Sequence, residues 1–93
     1  MIRSFKDKQT EQIFGQRKSK RLPPEIQERA LVKLMMIDSA ESITDLTAPP
    51  SNMLEKLSGR RSDEYSIRIN RQWQICFRFQ DGEAFDVGIE DYH

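Results

Sequence analysis

Three groups of side chains in this sequence have the chemistry to handle a phosphate ester. The first is the closing pair Tyr92-His93. His93 is the only histidine, and imidazole exchanges protons in both directions near neutral pH. The carboxylates of Glu90, Asp91 and the chain end are expected to favour its protonated form. A terminal Tyr-His is ordinarily a frayed end. Here it directly continues an alternating apolar run, so a docked terminus is available. The second group is Arg60, Arg61, Arg68, Arg71 and Arg78. Arg68 and Arg78 occupy even positions of alternating runs and share a sheet face if those runs pair. Beside Gln74 they can hold a phosphodiester, or they can be laced to Asp86 and Glu90. The third group is the run Arg17-Lys18-Ser19-Lys20-Arg21. Without interleaved aromatics it reads as a solvated inter-helix loop ahead of a phosphate patch.

Other chemistries lack their residues. The sequence has no phosphate-binding glycine loop, no nucleophile elbow and no Cys/His set for zinc. Cys76 stands alone and reads as an inert thiol. No metal or cofactor is expected.

The elements that position these groups follow from apolar spacing. Tyr65, Ile67 and Ile69, then Trp73, Ile75, Phe77 and Phe79, then Phe85, Val87 and Ile89 occupy odd positions of three consecutive runs. A period of two predicts strands with one buried face. Asp81-Gly82 between two runs is a tight hairpin signal, and Asn70-Arg71 joins the first pair. The expected result is a three-stranded meander with an odd core face and a polar even face open to a ligand. Upstream, Met1–Phe5 alternates as an edge strand. Lys8–Gln16 is a short helix, capped by Asp7 or Thr10 and ended by Gly15. Pro23-Pro24-Glu25 opens a second helix over residues 24–39. Its stripe is Ile26, Ala30, Leu34 and Ile37, broadened by Leu31 and Met35. Ile43 and Leu46 pin the following connection, Pro49-Pro50 makes a stiff extended piece, and Met53–Leu57 reads as a strand. Ser58–Asp63 is a polar loop. The order β-α-α-β-β-β-β makes an α+β fold, with helices layered on a mostly antiparallel sheet.

At 93 residues this is one small domain, residues 1–93. Its net charge of zero hides a segregation: residues 1–33 carry +5, 34–59 −3, 60–80 +3 and 81–93 −5. A neutral total therefore does not exclude an anionic partner. A single cysteine excludes a disulfide framework, and no signal peptide or membrane-spanning run is present, so the cytoplasm is expected.

Five stretches carry a family resemblance: Met-Ile-Arg-Ser-Phe at the start, Leu57-Ser-Gly-Arg-Arg61, Tyr65-Ser-Ile-Arg-Ile-Asn70, Gln72-Trp-Gln-Ile-Cys-Phe77 and the closing Glu-Asp-Tyr-His. Together they resemble the HigB/GraT-like toxins, plasmid-maintenance killer proteins of the RelE/ParE superfamily, across essentially the whole chain. The resemblance implies two N-terminal helices on a four- to five-stranded sheet. It implies a metal-independent, ribosome-dependent mRNA endoribonuclease in which the ribose 2′-OH attacks the adjacent phosphate. It also implies a HigA-like helix-turn-helix antitoxin as partner, with operator DNA reached only through that antitoxin. His93 and Tyr92 would then be the acid–base pair. Arg60, Arg61, Arg68, Arg78, Gln74 and Ser58 would face phosphate or RNA. The chain departs from the pattern at three places. Gln74 stands where an arginine commonly follows the tryptophan, Ser58 where some members carry lysine, and Glu55 where some carry histidine. Losing one charged contact to a phosphorane typically costs about 3 kcal/mol, near a hundredfold in rate. Two alternatives therefore stand beside the nuclease: a ParE-like gyrase poison, and a weakened or inactive toxin.

Overall fold

The computed structural model describes residues 1–92. Asp7 opens the first helix, α1 (Lys8–Phe14): its carboxylate accepts the Thr10 N–H at 2.7 Å. That bond satisfies an amide that a helix start otherwise leaves without a partner. Gly15 closes the helix. The second helix, α2 (Pro24–Ser39), begins on a proline, whose missing N–H costs no bond in the first turn. Four antiparallel strands follow in spatial order: β1 (Glu55–Lys56), β2 (Glu64–Arg68), β3 (Trp73–Gln80) and β4 (Glu83–Asp91). Asp81 and Gly82 make the β3–β4 turn with φ of 52° and 78°, the left-handed pair of a two-residue hairpin. The Asn70 side chain shapes the β2–β3 turn, accepting the Gln72 and Trp73 amides at 2.8 Å each. Among the described residues no helix is long and apolar enough to cross a membrane.

α2 lies on the odd face of the sheet. Ile26, Ala30, Leu34 and Ile37 are buried against Ile67, Ile75, Phe77, Val87 and Ile89. Each large side chain fully buried in this way stabilises the fold by roughly 1.5–3 kcal/mol. Met35, expected on the same stripe, instead faces solvent at 53% exposure. It lies one residue past Leu34, and the 100° step turns it off the buried side.

The strict alternation breaks in β4. Register runs smoothly from Trp73↔Asp91 to Cys76↔Gly88, then shifts so that Arg78 faces Phe85. The extra residue is accommodated at Asp86, whose φ of 52° marks the bulge. A one-residue insertion moves the preceding side chains to the opposite face. Ala84, not Phe85, therefore enters the core, and Phe85 lies under the Arg78 guanidinium at 5.3 Å. The expected N-terminal edge strand is reduced as well. Met1–Phe5 runs parallel to β4 but forms only two bridges, Ile2↔Ala84 and Phe5↔Val87. The expected strand 53–57 shortens to Glu55–Lys56, because Met53 adopts a left-handed φ of 47°. Pro49 is extended as expected, but Pro50 opens a 3-10 turn, Pro50–Asn52.

Candidate active site

One row across the sheet holds the residues in question. Arg68 on β2 pairs with Gln74 on β3, and Gln74 pairs with Glu90 on β4. Beyond Glu90 the chain continues straight to Tyr92, whose amide donates to the Gln72 carbonyl. The terminus is thus docked as far as Tyr92. The Arg68 guanidinium lies over the Tyr92 ring, 4.1 Å from its centroid. A cation held on an aromatic face gains roughly 0.5–2 kcal/mol and keeps its N–H edges available. Arg68 Nε and Gln74 Oε1 are both buried, and among the described residues neither has a hydrogen-bond partner. One donor and one acceptor of opposite sense thus stand in a single cross-strand pair. Buried polar groups of this kind cost free energy unless a partner is supplied. His93 lies outside the described residues.

The even face is not the open polar surface that alternation suggests. Ser66 and Cys76 are each 1% exposed and Gln74 is 8% exposed. Part of the cover is a charge cluster. Arg61 donates to both Glu64 oxygens at 2.9 Å and to Glu90 at 2.9 and 2.6 Å, and Lys6 reaches Glu90 at 3.4 Å. Hydrogen bonds to Glu64, then to Glu90, raise the Arg61 pKa. Burial by itself would raise the Glu90 carboxyl, but the bonds and charge of Arg61, with Lys6 adding, hold it below the usual carboxylate range. Burial first, then the nearby Glu90 charge, pushes the Cys76 thiol from its ordinary 9.0 up to about 12. That thiol is inert at neutral pH.

The sequence-predicted residues therefore separate. Tyr92, Arg68 and Gln74 come together. Arg61 is committed to two carboxylates, so its charge is already matched. Arg78 shares the face with Arg68 but pairs opposite Glu64, four residues further along β3 than Gln74. That offset is roughly 13 Å at strand spacing, too far for both to grip one phosphate. Arg78 is instead held by Asp86 at 2.9 Å. Ser58 and Arg60 are exposed on the loop around the 3-10 turn Gly59–Arg61, which Gly59 opens with a φ of 66°. Glu55 is exposed on β1. Apolar spacing passes over Lys33 and Asn52, which are 6% and 0% exposed. For Lys33 the signal is its place three residues after Ala30 and four before Ile37, on the buried stripe.

Residues 3–93 match the family described as RelE-like toxin of type II toxin-antitoxin system HigB. The chain belongs to that family. It is 38% identical over 93 residues to Toxin HigB-1 of Vibrio cholerae serotype O1, covering 99% of this chain and 98% of the relative. It is 33% identical over 93 residues to Endoribonuclease HigB of Proteus vulgaris, covering all of both chains. The helices on an antiparallel sheet fit this family. Within this HigB-like toxin, the neutral Gln74 has a cation, Arg68, directly across the strand pair.

Proposed function

We propose that the chain is the toxin of a type II pair and acts as a ribosome-dependent mRNA endoribonuclease. The observation that carries this reading is the Arg68 guanidinium stacked on Tyr92, a cation beside the family's closing tyrosine. A general base takes the proton from a ribose 2′-OH, and the freed oxygen attacks the adjacent phosphorus. The P–O5′ bond breaks, a general acid protonates the departing 5′-oxygen, and a 2′,3′-cyclic phosphate remains. Tyr92 and His93 take the acid–base roles, and Arg68 neutralises charge growing on the phosphoryl oxygens. Gln74 then contributes an acceptor to the ribose or to an ordered water rather than charge. Arg60 and Ser58 meet the RNA from the exposed loop. A HigA-like helix-turn-helix antitoxin silences the toxin and carries it to operator DNA, and the site of action is the cytoplasm. This reading is supported by the family match, by a full-length relative named as an endoribonuclease, and by the convergence of Arg68 and Tyr92.

The test is 5′-end mapping of cellular mRNA after brief induction of the wild type and of a variant lacking Tyr92-His93. New cuts within translated codons, absent from the truncation, are expected. Growth arrest with intact mRNA and damaged DNA would move the reading to a gyrase poison. Neither effect would mark an inactive toxin.

A further inference from the structure

Lys33 occupies a position where an aliphatic side chain belongs. It lies on the buried stripe of α2 and is 6% exposed. Burying an ammonium costs several kcal/mol unless partners replace its water. Its partner is Asn52, wholly buried, whose Oδ1 accepts from Nζ. Asn52 is itself fixed, donating to the Leu46 and Ala48 carbonyls at 3.1 and 3.2 Å. The ammonium has three protons, and Asn52 takes one. Among the described residues no carboxylate forms an ion pair with Lys33. Burial first, then the neighbouring Arg29 charge, lowers its pKa. Lys33 is thus fixed on one side by Asn52, with no carboxylate paired to it among the described residues and a cleft in front of it.

Lys33 lines a cleft of about 680 Å³ between α2 and the β2–β3 turn. This lies within the size range of small-molecule clefts, roughly 300–1,000 Å³, so it has room for one unit of a larger chain. Arg29, Arg68 and Arg71 also line it, against the carboxylates of Glu25 and Glu28. Four cations against two carboxylates leave the cleft at +2. One of these cations is held by backbone, Arg29 donating to the Ile69 carbonyl at 3.3 Å, while Arg71 stands exposed on the turn that Asn70 shapes. Arg68 belongs to both places, lining the cleft and stacking on Tyr92. A strand lying in the cleft would therefore lead to Tyr92. We propose that this cleft binds the phosphodiester backbone of RNA beside the cleavage position, with Lys33 at its base and Arg71 at its mouth. An acidic peptide would meet the same charges, but continuity through Arg68 with the RNA-cleaving end favours RNA. The assignment rests on the ribonuclease reading above.

The experiment titrates the purified full chain with a 2′-O-methyl hexanucleotide, which cannot be cleaved, following backbone amides by NMR. Saturable shifts at Ser51, Asn70 and Arg71 are expected. Arg71→Gln, at an exposed position, should weaken binding about tenfold and reduce the salt slope by about one. Lys33→Met, which retains the packing of the stem, should weaken it further; should that variant not fold, Arg71→Gln alone decides. Shifts confined to other surfaces, or an Arg71→Gln affinity equal to wild type, overturn the proposal. Cleft shifts produced by the antitoxin but not by RNA overturn it as well. The two readings fail separately: cut transcripts without cleft shifts remove the cleft alone. Cleft shifts with uncut transcripts support the cleft as an RNA site and remove the nuclease.

Discussion

The Arg68 guanidinium carbon lies 4.1 Å from the centre of the Tyr92 ring, joining the end of β2 to the last described residue of the chain. Across the strand pair from Arg68 stands Gln74, where the family resemblance leads one to expect an arginine. The cation of this row is thus on β2 rather than on β3. Arg68→Gln should lower mRNA cleavage about a hundredfold, the loss of one charged contact to the phosphorane. Adding Gln74→Arg to that variant returns the charge to the other side of the same pair and should recover at least about tenfold. The measurement is the rate of transcript cleavage on translating ribosomes. A double variant no better than Arg68→Gln would show that the row does not supply the charge.

Arg61 is bound into an ion-pair network. Its five-donor fork is divided between Glu64 and Glu90, and removing it leaves two part-buried carboxylates side by side. Arg61→Gln should cost about 1–2 kcal/mol at pH 7, the lower end for a paired charge because Arg61 is 38% exposed. Glu90 sets the pH dependence. Its folded carboxyl titrates below the ordinary 4.5, so the unfolded chain takes up the proton first as pH falls. The stability it contributes is therefore full above about 4.5 and is lost as pH drops through the folded value. Denaturant curves of wild type and Arg61→Gln should differ at pH 7 and converge in acid. A constant gap across that range would show that the network is not charge-linked.

Cys76 gives the alkaline counterpart. Its folded thiol keeps its proton to about 12, whereas the unfolded thiol ionises near 9.0. The folded state then binds more protons, so the thiol's contribution is complete below 9.0 and disappears as pH rises toward 12. Relative to Cys76→Ala, the wild type should lose stability across that window. Native protein at pH 8 should also resist iodoacetamide until it is unfolded. Rapid alkylation of native protein would contradict the burial of Cys76.

Two neighbours on α2 separate the core from the surface. Leu34 is wholly buried, so Leu34→Ala should cost about 2–5 kcal/mol through lost burial and a cavity. Met35 is 53% exposed, and Met35→Ala should stay within about 0.5 kcal/mol. Thermal or urea unfolding of both variants reads the difference directly.

Elements whose causes are local are legible in the sequence. Gly15 ends α1, Pro24 opens α2 and Asp81-Gly82 makes the hairpin, because caps and turns depend on a few adjacent residues; between Asp7 and Thr10 as the cap of α1, the structure selects Asp7. Period-two spacing likewise placed Ile67, Ile75 and Phe77 in the core, and the closing motifs carried the family. Features that depend on distant pairing emerge only in the folded chain. The bulge at Asp86 moves Phe85 out of the core and Ala84 into it, a register matter between β3 and β4 that alternation within β4 cannot reveal. Which arginines are paired with carboxylates is also a matter of neighbours. Glu64 and Glu90 claim Arg61 and Asp86 claims Arg78, while Arg68 rests on an aromatic face. Lys33 shows the same limit: its spacing marks it as buried, but only the fold brings Asn52 to its amine and three arginines around the same cleft. Charge in a folded protein is set by what lies within a few ångströms, and for these residues that distance spans many positions of sequence.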